Sequence, residues 1–322
     1  MSTTLTMKGF FERLRDALRL SQVEGTDGLD RLVRSPNISS PGLVLAGYTD
    51  RFPSNRIQVL GETEMTYLVS LSAQERRNIL KIFFGFPIPG AIITKGQTPT
   101  IEMVEEAQAA GVSLLVTTLK TNDFYTKCKP WLEEEFAPTT NLHGSLADVF
   151  GVGLLFVGRS GIGKSECVLD LVERGHRLVA DDLVIVKRRG GDVLIGRGHE
   201  LSRHYMEIRG VGLVDIPAIF GIRAVRQQKR IEVVVQLEDF NEGPVERTGL
   251  DTEMTNILDA EIPKVRVPLN PGKNITVIAE VIALNHLLKY SGVDPATRFN
   301  ERLKKQMRRQ SDVRRYLQED NE

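Results

Sequence analysis

The chain has 322 residues, 41% of them hydrophobic, and its 42 basic side chains are matched by 42 acidic ones. That length allows two domains of ordinary size, each with its own core, and the even charge excludes a global drive towards nucleic acid or anionic membrane. The two cysteines, Cys128 and Cys167, lie far apart and suggest neither a disulfide framework nor a zinc site; with no apolar run long enough to span a bilayer, a reducing, cytoplasmic setting is expected.

In chain order, the stretch carrying Phe10, Phe11, Leu14 and Leu18 is amphipathic, and Glu12 and Asp16 mark it as a surface helix rather than a transit peptide. Arg56–Val59, Ala91–Thr94 and Leu114–Thr117 read as strands, while Ile101–Ala110 has helical spacing. This alternation is the rhythm of an α/β domain. A helix from Thr121 to Phe136 stops before Pro138, and the polar run Thr139-Thr140-Asn141 follows. The expected domains are 1–138, an α/β unit assigned to assembly or regulation, and 139–322, which carries the chemistry. In the second, strand-like runs fall at Asp182–Lys187, Val193–Ile195, Ile231–Leu237 and Ile275–Val277, with closing helices at Ala279–Leu288 and Phe299–Leu317. Basic residues of the last helix, among them Lys304, Lys305 and Arg308, read as a solvated face.

The most informative line is Gly158-Arg159-Ser160-Gly161-Ile162-Gly163-Lys164-Ser165, a complete G-x-x-x-x-G-K-[ST] pattern. It lies between strand-like Leu154–Val157 and helix-like Glu166–Glu173. Its glycines let backbone N–H groups converge on phosphate oxygens, and a helix N-terminus adds partial positive charge. Lys164 would neutralise the outer phosphates and Ser165 would sit on Mg²⁺, so a nucleoside triphosphate such as ATP is the expected ligand.

Phosphoryl transfer also needs a base, a further metal ligand and cations. Asp181-Asp182 lies between aliphatic runs, where two carboxylates are costly unless paired or coordinated. At a strand end both could reach one cleft, and burial with like-charge proximity would raise at least one pKa, as suits a base. A polar turn is the alternative. The run Met206-Glu207-Ile208-Arg209-Gly210-Val211-Gly212-Leu213-Val214-Asp215, if extended, places Glu207 and Arg209 on one face, and its glycines permit close backbone approach. His143-Gly144 precedes the phosphate-loop strand and could fold back over the site. Pro268-Leu269-Asn270-Pro271-Gly272-Lys273 has the prolines and glycine of a defined loop.

These pieces together resemble the bifunctional HPr kinase/phosphorylase family of bacteria. The resemblance is carried by Leu142-His143-Gly144, Ser160–Glu166, Arg174–Asp182, Glu207–Gly212 and Arg247-Thr248-Gly249-Leu250-Asp251, and in the first half by Ser40–Leu43, Ala46-Gly47-Tyr48 and Asn55–Gly61. It implies an α/β fold with an N-terminal domain and a C-terminal phosphate-loop domain similar to the nucleotide core of phosphoenolpyruvate carboxykinase. It implies Mg²⁺-dependent phosphorylation of a serine of the phosphocarrier HPr, with ATP or pyrophosphate as donor. The reverse reaction is phosphorolysis, in which orthophosphate attacks phosphoserine and pyrophosphate leaves. By the same resemblance Ser165 and Glu207 hold the metal, Asp182 is the base, Asp181 assists it, and His143 and Arg247 line the site. The assembly implied is a homohexamer, with no nucleic-acid or membrane partner. A small-molecule kinase or carboxykinase-like enzyme sharing only the nucleotide core is the alternative.

Two departures from the family pattern stand out. Arg159 occupies a phosphate-loop position where the family commonly has an acidic residue. Asn270 and Lys273 stand where its dephosphorylation loop usually has arginines. Arginine grips phosphate with a two-pronged fork and lysine with a point charge, so weakened phosphorolysis with the kinase retained is expected.

Overall fold

A computed structural model of the chain describes residues 4–239, 253–269 and 274–319, with side chains of the last helix through Arg308. The chain divides into two compact units, Met1–Ala137 and Pro138–Glu322.

The first unit is an α/β layer structure. Its strands are β1 (Leu5–Thr6), β2 (Leu20–Gln22), β3 (Leu32–Val33), β4 (Ile38–Ser39), β5 (Ile57–Leu60), β6 (Gly90–Ile93) and β7 (Ser113–Thr117). Its helices are α1 (Met7–Leu14), α2 (Gly42–Leu45), α3 (Glu62–Ser70), α4 (Ala73–Gly85), α5 (Ile101–Ala109) and α6 (Thr121–Glu135). The main sheet runs β2-β7-β6-β5-β4, parallel from β4 to β7, with β2 antiparallel at the edge. Parallel strands need both faces covered. Met65, Leu68, Phe83 and Met103 of α3, α4 and α5 close one face, and Phe10, Phe124 and Leu132 of α1 and α6 close the other. The N-terminal helix therefore begins as expected but is an amphipathic cover on a core, with Phe10 fully buried.

The second unit comprises β8 (Thr139–His143), β9 (Ser145–Val149), β10 (Val152–Val157), α7 (Lys164–Glu173), β11 (Arg177–Ala180), β12 (Leu183–Arg189), β13 (Val193–Gly198), β14 (Tyr205–Ile208), β15 (Gly212–Asp215) and α8 (Ile216–Phe220). After these come β16 (Gln228–Arg230), β17 (Val233–Asp239), β18 (Glu253–Ile257), β19 (Ala260–Leu269), α9 (Ile275–Tyr290) and α10 (Pro295–Glu319). A six-stranded sheet, β11-β9-β10-β17-β19-β18, lies beside a four-stranded one, β16-β13-β12-β8. The side-chain period of two sorts residues between layers. Leu154 and Phe156 of β10, with Val233 and Val235 of β17, face a core that includes Val168 and Leu171 of α7 and Ala279 and Ala283 of α9. Leu155 and Val234, one residue out of phase, face Val184, Val186 and Leu194 of the smaller sheet. Each valine, leucine or phenylalanine among them contributes roughly 1.5–3 kcal/mol by leaving water, so these two apolar layers fix where β10 ends and the phosphate loop begins.

Two expectations are corrected, and one run left without an element acquires one. Ile275–Val277 is the first turn of α9 and not a strand, because the Asn274 side chain accepts the Val277 amide and caps the helix. The polar run Thr139-Thr140-Asn141 belongs to β8, which pairs antiparallel with β12; its alternating exposure is that of an edge strand with one solvated face. Met206–Asp215 is not one extended strand. It is the hairpin β14–β15, reversed at Arg209-Gly210-Val211, with Gly210 at φ 84° and Gly212 at φ 96°.

Candidate active site

The phosphate loop joins the C-terminal end of β10 to the N-terminus of α7, as the sequence pattern requires. Its glycines have separate reasons. Gly158 (φ 150°) passes so close to β17 that a Cβ there would lie 2.7 Å from the Leu237 carbonyl oxygen. Gly161 (φ 75°) lies under the Arg209 guanidinium, 2.8 Å from where a Cβ would be. Gly163 takes the left-handed conformation (φ 103°) that opens α7. The loop is thus held between the end of β17 and the turn of the β14–β15 hairpin, and the hairpin turn delivers a cation to it.

Two basic side chains secure the loop. Buried Lys164 donates from Nζ to the carbonyl oxygens of Gly158 (3.2 Å) and Arg159 (3.0 Å). Arg159 forks onto Asp239 at the end of β17, Nε to Oδ2 at 2.7 Å and Nη2 to Oδ1 at 2.9 Å. Sequence reasoning missed Asp239, since 80 residues separate the pair and no local pattern links them. In register beside it, Leu269 pairs with Asp239 and Pro268 with Glu238, so the loop that follows β19 leaves from the strand end next to the phosphate loop's anchor. Asn270, Pro271, Gly272 and Lys273 of that loop, and Arg247, lie outside the described residues.

The acidic pair sits in the tight turn between β11 and β12. Asp182 has φ 64°, a left-handed conformation that aspartate tolerates better than most residues, and this turns the adjacent side chains apart. Asp181 is buried: its Oδ1 accepts from Ser145 Oγ at 2.5 Å and from Ser165 Oγ at 2.9 Å. Burial pushes its carboxyl above the usual carboxylate range, opposed by those two hydroxyls and the Asp182 amide. The side chain of Asp182 is 74% exposed and its Oδ1 lies 3.0 Å from Nδ1 of His143. The β8–β12 register places Leu183 opposite His143, and the Gly144 amide donates to the Asp182 carbonyl. The two carboxylates therefore occupy different environments instead of sharing one pocket.

Glu207 and Arg209 part company at the hairpin turn. Met206 and Ile208 of β14 pack into the core shared with α7, which leaves the Glu207 side chain in solvent, without a hydrogen bond to Ser165 or Asp181 among the described residues. Further along, α9 is bound to α7. Thr276 Oγ1 donates to Asp170 at 3.3 Å, and Glu280 takes a two-pronged contact from Arg174 (2.9 and 2.7 Å) and a third from His176 at 3.0 Å. The helix that starts at the phosphate loop and the helix that follows residues 268–274 are packed as one body.

No three His, Cys, Asp or Glu side chains among the described residues come together to hold a metal unaided. Ser165 and Asp181 do present a hydroxyl and a carboxylate in contact. Hard oxygen donors of that kind suit Mg²⁺, which takes one or two protein ligands and completes its shell with phosphate oxygens and water.

Comparison with known proteins covers both units. Residues 5–132 match the family model described as HPr Serine kinase N terminus, and residues 134–303 match the HPr Serine kinase C-terminal domain. A protein of Chloroherpeton thalassium named HPr kinase/phosphorylase is 45% identical over 307 residues, covering 94% of this chain and 90% of that one. One of the same name from Geobacter sulfurreducens is 43% identical over 305 residues, covering 94% and 95%. A solved structure titled as the Hpr(Ser) kinase/phosphatase from Coxiella burnetii is 32% identical with a TM-score of 0.45, covering 50% of this chain and 99% of that one.

Proposed function

The chain belongs to the HPr serine kinase family, and on that footing we propose that it transfers the γ-phosphoryl group of ATP to a serine of HPr and removes it again by phosphorolysis. One observation carries the reading: a complete phosphate loop whose Ser165 hydroxyl is bound to Asp181, with the next residue, Asp182, turned outward beside His143. An exposed carboxylate next to a nucleotide site suits an acceptor that arrives on the surface of another protein.

The loop amides and Lys164 would cradle the β- and γ-phosphates, with Arg209 and Arg247 against the transferring charge. Ser165 and Asp181, with Glu207 by family resemblance, would hold Mg²⁺, which when bound neutralises charge on the β- and γ-phosphate oxygens. His143 orients Asp182. As the substrate serine oxygen attacks the γ-phosphorus, its proton passes to Asp182 and the bond to the ADP oxygen breaks. In reverse, an orthophosphate oxygen attacks the phosphoserine phosphorus, the serine O–P bond breaks, Asp182 returns the proton to serine, and pyrophosphate leaves. Pyrophosphate is therefore also a donor in the forward direction. By the same family likeness, the catalytic unit resembles the phosphoenolpyruvate carboxykinase core, the assembly is a homohexamer in the cytoplasm, and the first unit serves assembly or regulation.

The test is incubation of the purified protein with HPr, ATP and Mg²⁺, and then of phosphoserine-HPr with orthophosphate and Mg²⁺. Phosphoserine formation and pyrophosphate release are the expected results. Absence of both, with phosphate passed instead to a small-molecule acceptor, would overturn the reading.

A further inference from the structure

Ser145 is a polar residue in a buried strand. It opens β9, lies opposite Phe156 of β10 in the register, and is completely buried, in a strand whose other residues are buried too. A buried hydroxyl is costly unless it is hydrogen-bonded. Its acceptor is Asp181 Oδ1 at 2.5 Å, the same oxygen that accepts from Ser165 at 2.9 Å. Two hydroxyls on different elements, one on β9 and one in the first turn of α7, thus converge on a single carboxylate oxygen.

A serine hydroxyl has one proton and two lone pairs. With its proton committed to Asp181, Ser165 presents its lone pairs to whatever lies on the loop side. The direction of those lone pairs depends on where the Asp181 oxygen is held, and the shared oxygen is fixed from the strand side by Ser145. We propose that Ser145 is a positioning residue for the metal–nucleotide complex: through Asp181 it aims the Ser165 hydroxyl, and so sets how strongly Mg²⁺ adds to nucleotide affinity. This rests on the kinase reading above and identifies a residue that reading leaves without a role. Groups one shell out from a metal ligand commonly change metal affinity by about 10- to 100-fold when removed.

The discriminating variants are Ser145→Thr, Ser145→Val and Ser145→Ala. Threonine and valine have nearly the same shape and both suit a strand, so the added methyl cancels and only the hydroxyl differs; alanine removes the hydroxyl without adding volume should the larger pair fold poorly. Calorimetric titration with ATP in excess chelator and then in Mg²⁺ gives a readout independent of turnover. ATP affinity without metal should stay within about twofold in all variants. The gain on adding Mg²⁺ should fall about tenfold in Ser145→Val and Ser145→Ala and be retained in Ser145→Thr, with the KM for Mg²⁺ in HPr phosphorylation rising in parallel. Equal Mg²⁺ gains for the valine and threonine proteins, or an unchanged gain in the alanine protein, would overturn the proposal. Failure of the unsubstituted protein to phosphorylate HPr at all would instead count against the kinase reading.

Discussion

Asp181 and Asp182 are neighbours in sequence but face different media: Asp181 is 8% exposed beneath the phosphate loop, whereas the Asp182 side chain is 74% exposed beside His143. The positive φ of Asp182 at the β11–β12 turn produces the separation. It gives two adjacent carboxylates two environments, one bound to the Ser165 hydroxyl of the phosphate loop and one at the surface beside His143, as the separate roles proposed for them require.

Replacing Asp182 with Asn should reduce HPr phosphorylation and phosphorolysis alike, by about 10²- to 10⁴-fold, the usual worth of a positioned base. ATP affinity should change by no more than about twofold, since the Asp182 side chain contacts His143 and makes no hydrogen bond to the phosphate loop among the described residues. Steady-state kinetics with a parallel nucleotide titration checks this; transfer surviving in the Asn variant would move the base elsewhere.

For Asp181 the effect on stability runs opposite to that on activity. Burial raises its folded-state pKa above 3.8, so the folded chain binds this proton more tightly than the unfolded one. Stability from this group is present at low pH and declines as pH rises from about the unfolded value through the folded one. Asp181→Asn should therefore raise the melting temperature at pH 7 while lowering Mg²⁺-dependent activity, and the stability gain should shrink towards pH 4. Scanning calorimetry at the two pH values decides it; a lower melting temperature at pH 7 would mean that the hydrogen bonds outweigh the buried charge.

Gly153 is fixed by close packing rather than by backbone freedom. A Cβ there would fall 1.9 Å from the Arg230 carbonyl oxygen, where β10 passes the β16–β17 segment. Gly153→Ala should destabilise the second unit by about 3 kcal/mol or more, the upper range for overpacking. Gly190→Ala, with nothing within 4 Å of the added carbon, should leave stability within about 0.5 kcal/mol. Denaturant melts of the pair provide the comparison, and similar midpoints would contradict the close approach.

The loop at 268–273 carries a sequence-based prediction. Asn270→Arg with Lys273→Arg should raise pyrophosphate release from phosphoserine-HPr by about tenfold, equivalent to roughly 1.4 kcal/mol of added phosphate binding, and leave ATP-dependent phosphorylation within about twofold. Identical kinetics of both proteins in both directions would show that arginine forks at these positions are dispensable.

Much of this protein was legible without coordinates. The phosphate loop declares itself because its chemistry is local: converging amides, a lysine and a hydroxyl must lie within eight consecutive positions. The alternating strands and helices of the first unit follow from hydrophobic period in the same way. What the sequence could not place were contacts made across layers. The Ser145–Asp181–Ser165 convergence, the Arg159–Asp239 fork and the clamp of Glu280 on Arg174 and His176 join residues from 16 to 106 positions apart, and no local periodicity encodes such pairings. The same limit explains Ile275–Val277, whose β-branched composition favours a strand until the Asn274 cap and the packing surface of α7 make it a helix. Local geometry, set by a few consecutive dihedrals, was determined by the sequence itself; which polar atoms meet was decided only when two sheets and two helices packed around β10, because a buried hydroxyl or carboxylate has its partners chosen by the layers that exclude water from it.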